Sequence, residues 1–444
     1  MSKNRIYKCL WMQAKLRLES PAIIGSGNAA HTDQDLLTGN DGKPFLPGAS
    51  LAGIARSLLL NGKKVGREFA EIFGEGKEEN CQSIVTFWDG VIPEEESFTI
   101  AFRDSVALNE ETKTAIDKAK RDFEVLNPGT CFRFRMEIVL REEQKELPIL
   151  QFVSNLIDCM ECGDFRIGGK TTRGYGKVSL EKVQILQKDF SGEKPDDFLE
   201  YVNFDWSKLE GEGEIELPSS TYCSPYTKLE LLLSPESTLL IRNYFIQNLD
   251  VNCEQLQVDG KAVIPGTAWA GLFRHRIQEL LIECMDGKEN EAKQMIEELF
   301  GPKRKTEEKK RARVIFEESA DLDAEPKGKS SLRIIMRNKI DRFTGGVLKS
   351  ALLSERVAVG GKFRLGIRIR DAKAYEIGMI LLAIEDLCNG LLAIGGTTAA
   401  GRGVMKPAEL PRFYIDAEKT WRTLDEKAEQ VYWDALDEKI RQRR

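Results

Sequence analysis

GGKTTRGYG, residues Gly168–Gly176, and GGTTAAGRG, residues Gly395–Gly403, stand 227 positions apart in a chain of 444 residues. Two glycine–threonine stretches of one design are either a chance run of turn residues or the mark of a domain that occurs twice, and the flanking sequence decides between them. PGASLAGIAR (Pro47–Arg56) answers PGTAWAGLFR (Pro265–Arg274) at an offset of 218. Ile-Phe-Gly ending at Gly74 answers Leu-Phe-Gly ending at Gly301 at an offset of 227. LNEETKTA (Leu108–Ala115) with FEVLNPGTCF (Phe123–Phe132) loosely answers IDRFTGGV (Ile340–Val347) with SERVAVGGKF (Ser354–Phe363). Matches that keep their order and nearly keep their offset identify a tandem duplication.

Working outward, each half takes the same element order. YKCLWMQAKLRL alternates as a strand, SLAGIARSLLL is an apolar-periodic helix after Pro47-Gly48, and SIVTFW and TCFRFRMEIVL are strands. LPILQFVSNLIDCMEC is helical, and after the glycine loop GKVSLEKVQIL is a strand. The second half repeats this with TKLELLL, TAWAGLFRHRIQELLIECM, RVIF, KFRLGIRIR and YEIGMILLAIEDLCNGLLAI. The order β-α-β-β-α-β predicts an α+β protein of two tandem ferredoxin-like (RRM-like) domains. The first is expected over 1–187 and the second over 227–409. Residues 188–226, rich in charge, Gly, Ser and Pro, form the expected linker, and 410–444 a C-terminal helical tail with Trp421, Leu424, Val431 and Leu436 at helical spacing.

Composition bounds the function. Hydrophobic residues are 41% and charged residues 31%, the balance of a packed globular chain. No apolar run reaches the length of a membrane span, and MSKNRIYKCLWMQ lacks the core and cleavage site of a signal peptide. Nine scattered Cys do not make a disulfide scaffold, and a cytoplasmic protein is the simplest reading. The net charge of −6 favours no nucleic-acid partner, but a groove needs only local positive charge. His31 and His275 are the only two histidines, which leaves no His-rich metal site. Cys159 and Cys162 lack a second pair nearby, so they are packed helix residues before they are zinc ligands. KRKTEEKKRAR, Lys303–Arg313, is a solvated loop or an RNA-facing patch.

The loops carry the candidate chemistry. Gly168, Gly169, Gly174 and Gly176 in the first, and Gly395, Gly396, Gly401 and Gly403 in the second, allow positive φ and close approach of a ligand to the backbone. Thr171, Thr172, Thr397 and Thr398 add hydroxyls, and Arg173 and Arg402 add a planar fork for phosphate. The competing reading is a tight helix-to-strand turn. The Pro-Gly helix starts offer amide N–H groups that attract phosphate, with Ser50 and Thr267 to cap or donate and Arg56 and Arg274 at matching positions. Upstream, Asp33 and Asp250 stand in the polar stretches HTDQD and NLDVN, where a carboxylate facing RNA can bind a divalent ion or take a proton. A solvated loop Asp is the bland alternative, and His31 is a possible assistant to Asp33.

The ordered, doubled set of a PG-S-L-x-G-x-x-R helix start, a following FG and a GG-x-T-x-x-G-x-G loop resembles the RAMP superfamily, the ferredoxin-like backbone subunits of type III CRISPR–Cas effector complexes. The tandem arrangement is similar to fused backbone subunits of III-D-like systems. Ala52 and Ala270 stand where the family often carries Lys, and Ala399-Ala400 of the second loop leave no Arg at the place of Arg173, so that Arg402 is shifted. The resemblance implies guide RNA (crRNA) gripped by the helix starts and glycine loops, complementary target RNA, and β-hairpin thumbs at Leu108–Phe132 and Ile340–Phe363. It further implies target cleavage by Asp33 and Asp250 with a divalent metal, Mg2+, whose remaining ligands are unknown. Other backbone subunits, a large polymerase-cyclase-like subunit and small subunits are the implied partners, with no membrane. The alternative within the same family is a scaffold that binds guide RNA and never cuts. A generic RRM protein is disfavoured because aromatic RNP-like strands are not evident, and a guide-processing nuclease because two histidines hardly supply its His-containing site.

Overall fold

A computed structural model describes residues 5–27, 29, 32–60, 67–74, 82–109, 115–190, 199, 201–209, 215–243, 251–302, 310–324, 331–415 and 420–443. The chain divides into two compact units. The first holds Met1–Ala101, Phe123–Thr171 and Tyr175–Ser224; the second holds Phe102–Asp122, Thr172–Gly174 and Pro225–Arg444.

The first unit is built on Ile6–Leu18, which pairs antiparallel with Cys131–Arg141 on one side and Val178–Asp189 on the other. Val85–Phe87 and Gly90–Val91 add to the far edge of Cys131–Arg141. Numbered as elements of a β-α-β-β-α-β unit, the strands lie in the order 4-1-3-2, all antiparallel. Alternation along Cys131–Arg141 explains the two faces. Phe132, Phe134, Met136, Ile138 and Leu140 are buried and join the core with Phe152, Val153 and Leu156 of the helix Ile149–Glu161. Each such side chain contributes about 1.5–3 kcal/mol over leaving it exposed. The helix Gly48–Leu60 adds Leu51, Ala55 and Leu59, spaced as one helical stripe.

The other face of this sheet is covered as well. Cys9, Trp11 and Leu186 pack with Phe190, Tyr201, Phe204, Trp206 and Leu209. Residues 188–226, expected as a linker, thus supply a small apolar layer: charged and glycine-rich composition hid five aromatic and aliphatic residues within it.

The second unit repeats the order on Tyr226–Pro235, flanked by Phe363–Arg370 and by the split fourth strand Met405–Pro407 and Arg412–Ile415. Val314–Phe316 lies beyond Phe363–Arg370. Thr420–Thr423 pairs with Arg412–Ile415 and extends the sheet. Residues 410–444, read from sequence as helical, therefore begin as a hairpin before the helix Glu426–Arg443. That helix lies on Ala374–Cys388 where Gly378 permits close approach: a Cβ there would meet the Tyr432 carbonyl oxygen at 2.6 Å.

Each half inserts a two-stranded hairpin between its second and third strands. The first runs Ile100–Leu108 and Ala115–Leu126, the second Leu332–Ile340 and Val347–Val359. Both start earlier than the motif matches at Leu108 and Ile340, which mark hairpin tips. The rising strands expose apolar residues such as Ile100, Phe102, Ile334 and Met336, so apolar positions there do not mark a dry face. No described helix is long and apolar enough to cross a membrane.

Candidate functional site

The two glycine loops are one structure drawn twice. Gly169 donates its N–H to the Ile23 carbonyl at 2.7 Å, and Gly396 donates to Leu240 at 2.7 Å. Gly176 donates to Pro21 and Gly403 to Thr238, both at 2.8 Å. Ile167 and Ile394 close the loops by donating to Gly176 and Gly403 at 2.9 Å. The first loop is thereby fastened to Pro21 and Ile23, on the backbone leading to the acidic loop, and the second to Thr238 and Leu240. Lys170 and Thr397, at matching positions, take the left-handed φ values 54° and 56°, a strain that only over-determined surroundings hold.

The glycines are required for different reasons. At Gly176 and Gly403 a Cβ would stand 1.9 Å from the carbonyl oxygens of Ile167 and Ile394. At Gly401 φ is 78° and nothing lies within 4 Å. Gly403→Ala is expected to destabilise by on the order of 4 kcal/mol or more, because backbone must move. Gly401→Ala should cost only about 1–2 kcal/mol of left-handed strain. Urea denaturation of both variants checks the difference.

The helix starts also repeat. A Cβ on Gly48 would meet the Phe87 carbonyl oxygen at 2.2 Å, and one on Gly266 the Phe316 oxygen at 2.1 Å. The Gly48 N–H is already taken: the Asp89 carboxylate accepts it at 2.7 Å. A carboxylate thus sits at this helix N-terminus, while Ser50 and Arg56 on the same helix are exposed. Thr267 and Arg274 are half-buried. Within the second unit, Gly174 is buried against the backbone of Phe316 and Glu318, leaving Arg173 as the exposed member of Thr172–Gly174.

Arg402 has a different task from the one its sequence suggests. It is 4% exposed, and its guanidinium meets Glu355 at 2.6 Å and the Thr397 hydroxyl at 3.3 Å. Arg337 donates to the other Glu355 oxygen at 2.7 Å. Burial pushes the Glu355 carboxyl up, but the hydrogen bonds and charges of Arg337 and Arg402 outweigh it and hold the group below its usual range. In the first half the corresponding hairpin and loop residues are Phe123 and Tyr175, edge to face at 6.2 Å, with Lys170 over the Phe123 ring. One half ties its hairpin to its glycine loop by ions, the other by aromatic contact.

The acidic loop of the first half is firmly set. The Asp35 carboxylate accepts the Thr32 N–H at 2.8 Å and its hydroxyl at 2.9 Å. Glu124, on the hairpin's descending strand, accepts the Leu36 N–H at 2.9 Å and donates its own N–H to Gln34 at 3.1 Å. Between these anchors Asp33 is exposed. Asp250 and His31 lie outside the described residues, as does 303–309 of the basic run. Arg313, at the end of that run, is tied to Glu376 and to the backbone of Glu298 and Arg370. Cys159 is buried in its helix, and burial raises its thiol well above the usual range.

Among the described residues no three His, Cys, Asp or Glu side chains gather as a metal centre. In the first acidic loop Asp33 is exposed, whereas Asp35 is buried and accepts from Thr32. One carboxylate completed by RNA phosphates and water is a donor set that Mg2+ accepts.

The model of the RAMP superfamily matches residues 15–179 and 236–406. The two matched segments coincide with the two halves that share the loop, helix-start and hairpin geometry. No curated protein matches the chain significantly.

Proposed function

Because the chain belongs to the RAMP superfamily, CRISPR-associated RNA-binding proteins, we propose that it is a backbone subunit of a type III, III-D-like, CRISPR–Cas effector complex. In this reading it binds guide RNA along both halves and cleaves complementary target RNA, each half acting on its own stretch. The observation that supports the reading is the doubled fastening of a glycine loop to equivalent backbone in each half, with Asp33 exposed in a loop tied to Glu124 of the hairpin. Guide phosphates would meet Ser50, Arg56 and Arg173 in the first half and Thr267, Arg274 and Thr398 in the second. Asp33 and Asp250 would face the target strand, where each hairpin interrupts the duplex. A bound Mg2+ would supply charge stabilisation at the scissile phosphate. Asp33 would hold that ion or accept the proton of a target 2′-hydroxyl.

RNA recovered with the purified complex tests the binding role: reads should carry repeat-derived guide sequence, and random cellular RNA would remove the proposal. Arg56→Ala combined with Arg274→Ala should weaken guide retention. It should also reduce the log–log salt slope by roughly 0.7 per lost phosphate contact on a single strand. An unchanged slope would make both arginines ordinary surface charges. A non-cutting scaffold is the second reading within the family; the mapping of cleavage products described in the Discussion separates the two.

A further inference from the structure

The first sheet carries a second surface that none of the RAMP motifs uses. On the face away from the helices, Trp11 stacks on Phe204 with centroids 4.0 Å apart and planes 11° apart. Phe204 meets Trp206 edge to face at 5.4 Å, and Trp206 meets Trp88 at 6.2 Å. Of the inner members, Trp11 is buried and Phe204 and Trp206 are half-buried. Trp88, its last member, is 47% exposed. A large ring backed by other rings and open on its outer side is the arrangement on which unpaired bases stack.

Charge at the same place has the matching sign. Trp88 donates its N–H to the Arg135 carbonyl at 3.1 Å. The Arg135 guanidinium lies 4.8 Å above the Trp206 ring and donates to Gln13 at 2.8 Å. Arg133, two residues along the same strand face and opposite Val91, is half-buried with no ion pair among the described residues. The nearby carboxylates are largely committed: Asp89 to the Gly48 N–H and Glu137 to the Trp11 indole. Exposed Asp205 is the remaining acidic neighbour of Arg135. Asp205 itself accepts the Ser207 N–H at 3.0 Å, and two adjacent guanidinium groups leave a local positive excess that an anion would relieve.

We propose that Trp88 is a stacking platform for an unpaired base of single-stranded RNA, with Arg133 meeting the adjoining phosphate. The inference rests on the RNA-binding reading above and adds to it a contact outside the helix starts and glycine loops. Recognition is of base face and phosphate, so it discriminates single strand from duplex without reading sequence. Purines, with the larger face, should bind better than pyrimidines.

Fluorescence anisotropy with the full chain tests this. The probes are fluorescein-labelled oligo(A), oligo(U) of equal length and a blunt RNA duplex, each over a range of salt. Trp88→Ala should weaken oligo(A) binding about tenfold, within the range for loss of one stacked base, with a smaller loss on oligo(U) and none on duplex. Trp88→Phe should restore most of the affinity. Arg133→Ala should lower the salt slope by roughly 0.7, the share of one phosphate, while Trp88→Ala leaves the slope unchanged. Equal weakening on single strand and duplex, or wild-type affinity in Trp88→Ala, would overturn the platform while leaving RNA binding itself in place. A wild-type chain that binds none of the probes would instead overturn the RNA-binding reading and the platform with it. Thermal unfolding of each variant identifies a folding defect, and Trp88→Phe then carries the comparison with Arg133→Ala.

Discussion

Alanine at Asp33 or at Asp250 is expected to erase one target-RNA cleavage product apiece while leaving the target bound. The proposed step is attack of a target 2′-hydroxyl on the adjacent phosphorus. The P–O5′ bond breaks, giving a 2′,3′-cyclic phosphate and a 5′-hydroxyl. Splaying one nucleotide beside the hairpin brings attacking oxygen, phosphorus and leaving oxygen into line, and such positioning can carry much of the barrier reduction. A carboxylate that takes the 2′ proton is worth roughly 10²–10⁴ in rate, so the loss should read as a missing band rather than a faint one. Asp33 suits the role by its placement: the loop around it is pinned by Thr32–Asp35 and Glu124 contacts, while its own side chain is exposed. Assembled complex, labelled complementary RNA and magnesium, resolved on a sequencing gel, give the answer. If both single variants keep the wild-type ladder, the catalytic assignment fails and the scaffold reading takes its place.

Glu355→Ala should be the most destabilising change away from the glycines. It strips the partner from Arg402, which is 4% exposed, and from Arg337. Leaving a buried charge uncompensated costs about 3–5 kcal/mol. For a unit of this size that is a fall of roughly 10 °C in Tm. The first half supplies a rescue. Phe123 and Tyr175 occupy the corresponding places there, so Glu355→Phe with Arg402→Tyr should recover stability that neither single variant has. The pH dependence has a definite sign. The folded carboxyl is held below its usual range, so its contribution is complete at neutral pH, where the unfolded group is also ionised. That contribution declines below the unfolded value of about 4.3 and is lost as pH falls through the folded value. The gap in Tm between wild type and Glu355→Ala should therefore close in acid. A gap that stays constant down to strongly acidic pH would show that lost packing, not charge, causes the effect.

Much of the architecture was legible before any coordinates. The duplicated Pro-Gly helix starts and glycine loops fixed two equivalent halves, because a short motif with backbone requirements tolerates few substitutes. Alternation in CFRFRMEIVLR and helical spacing in ILQFVSNLIDCME placed the strands and helices, since one buried face per element leaves a period in the sequence. What sequence could not give was who meets whom. Arg402 in a glycine loop reads as a phosphate ligand, and only the fold brings it to Glu355, 47 residues earlier on a hairpin strand. The Asp89 carboxylate reaches the Gly48 N–H, 41 residues earlier, only through the fold. The aromatic residues of 199–209 look like punctuation in a charged linker until Trp11 is found stacked beneath Phe204. Local periodicity records which side of an element is dry. The pairing of charges and rings across distant segments depends on strand order and crossing of the chain, and that information exists only in the tertiary structure.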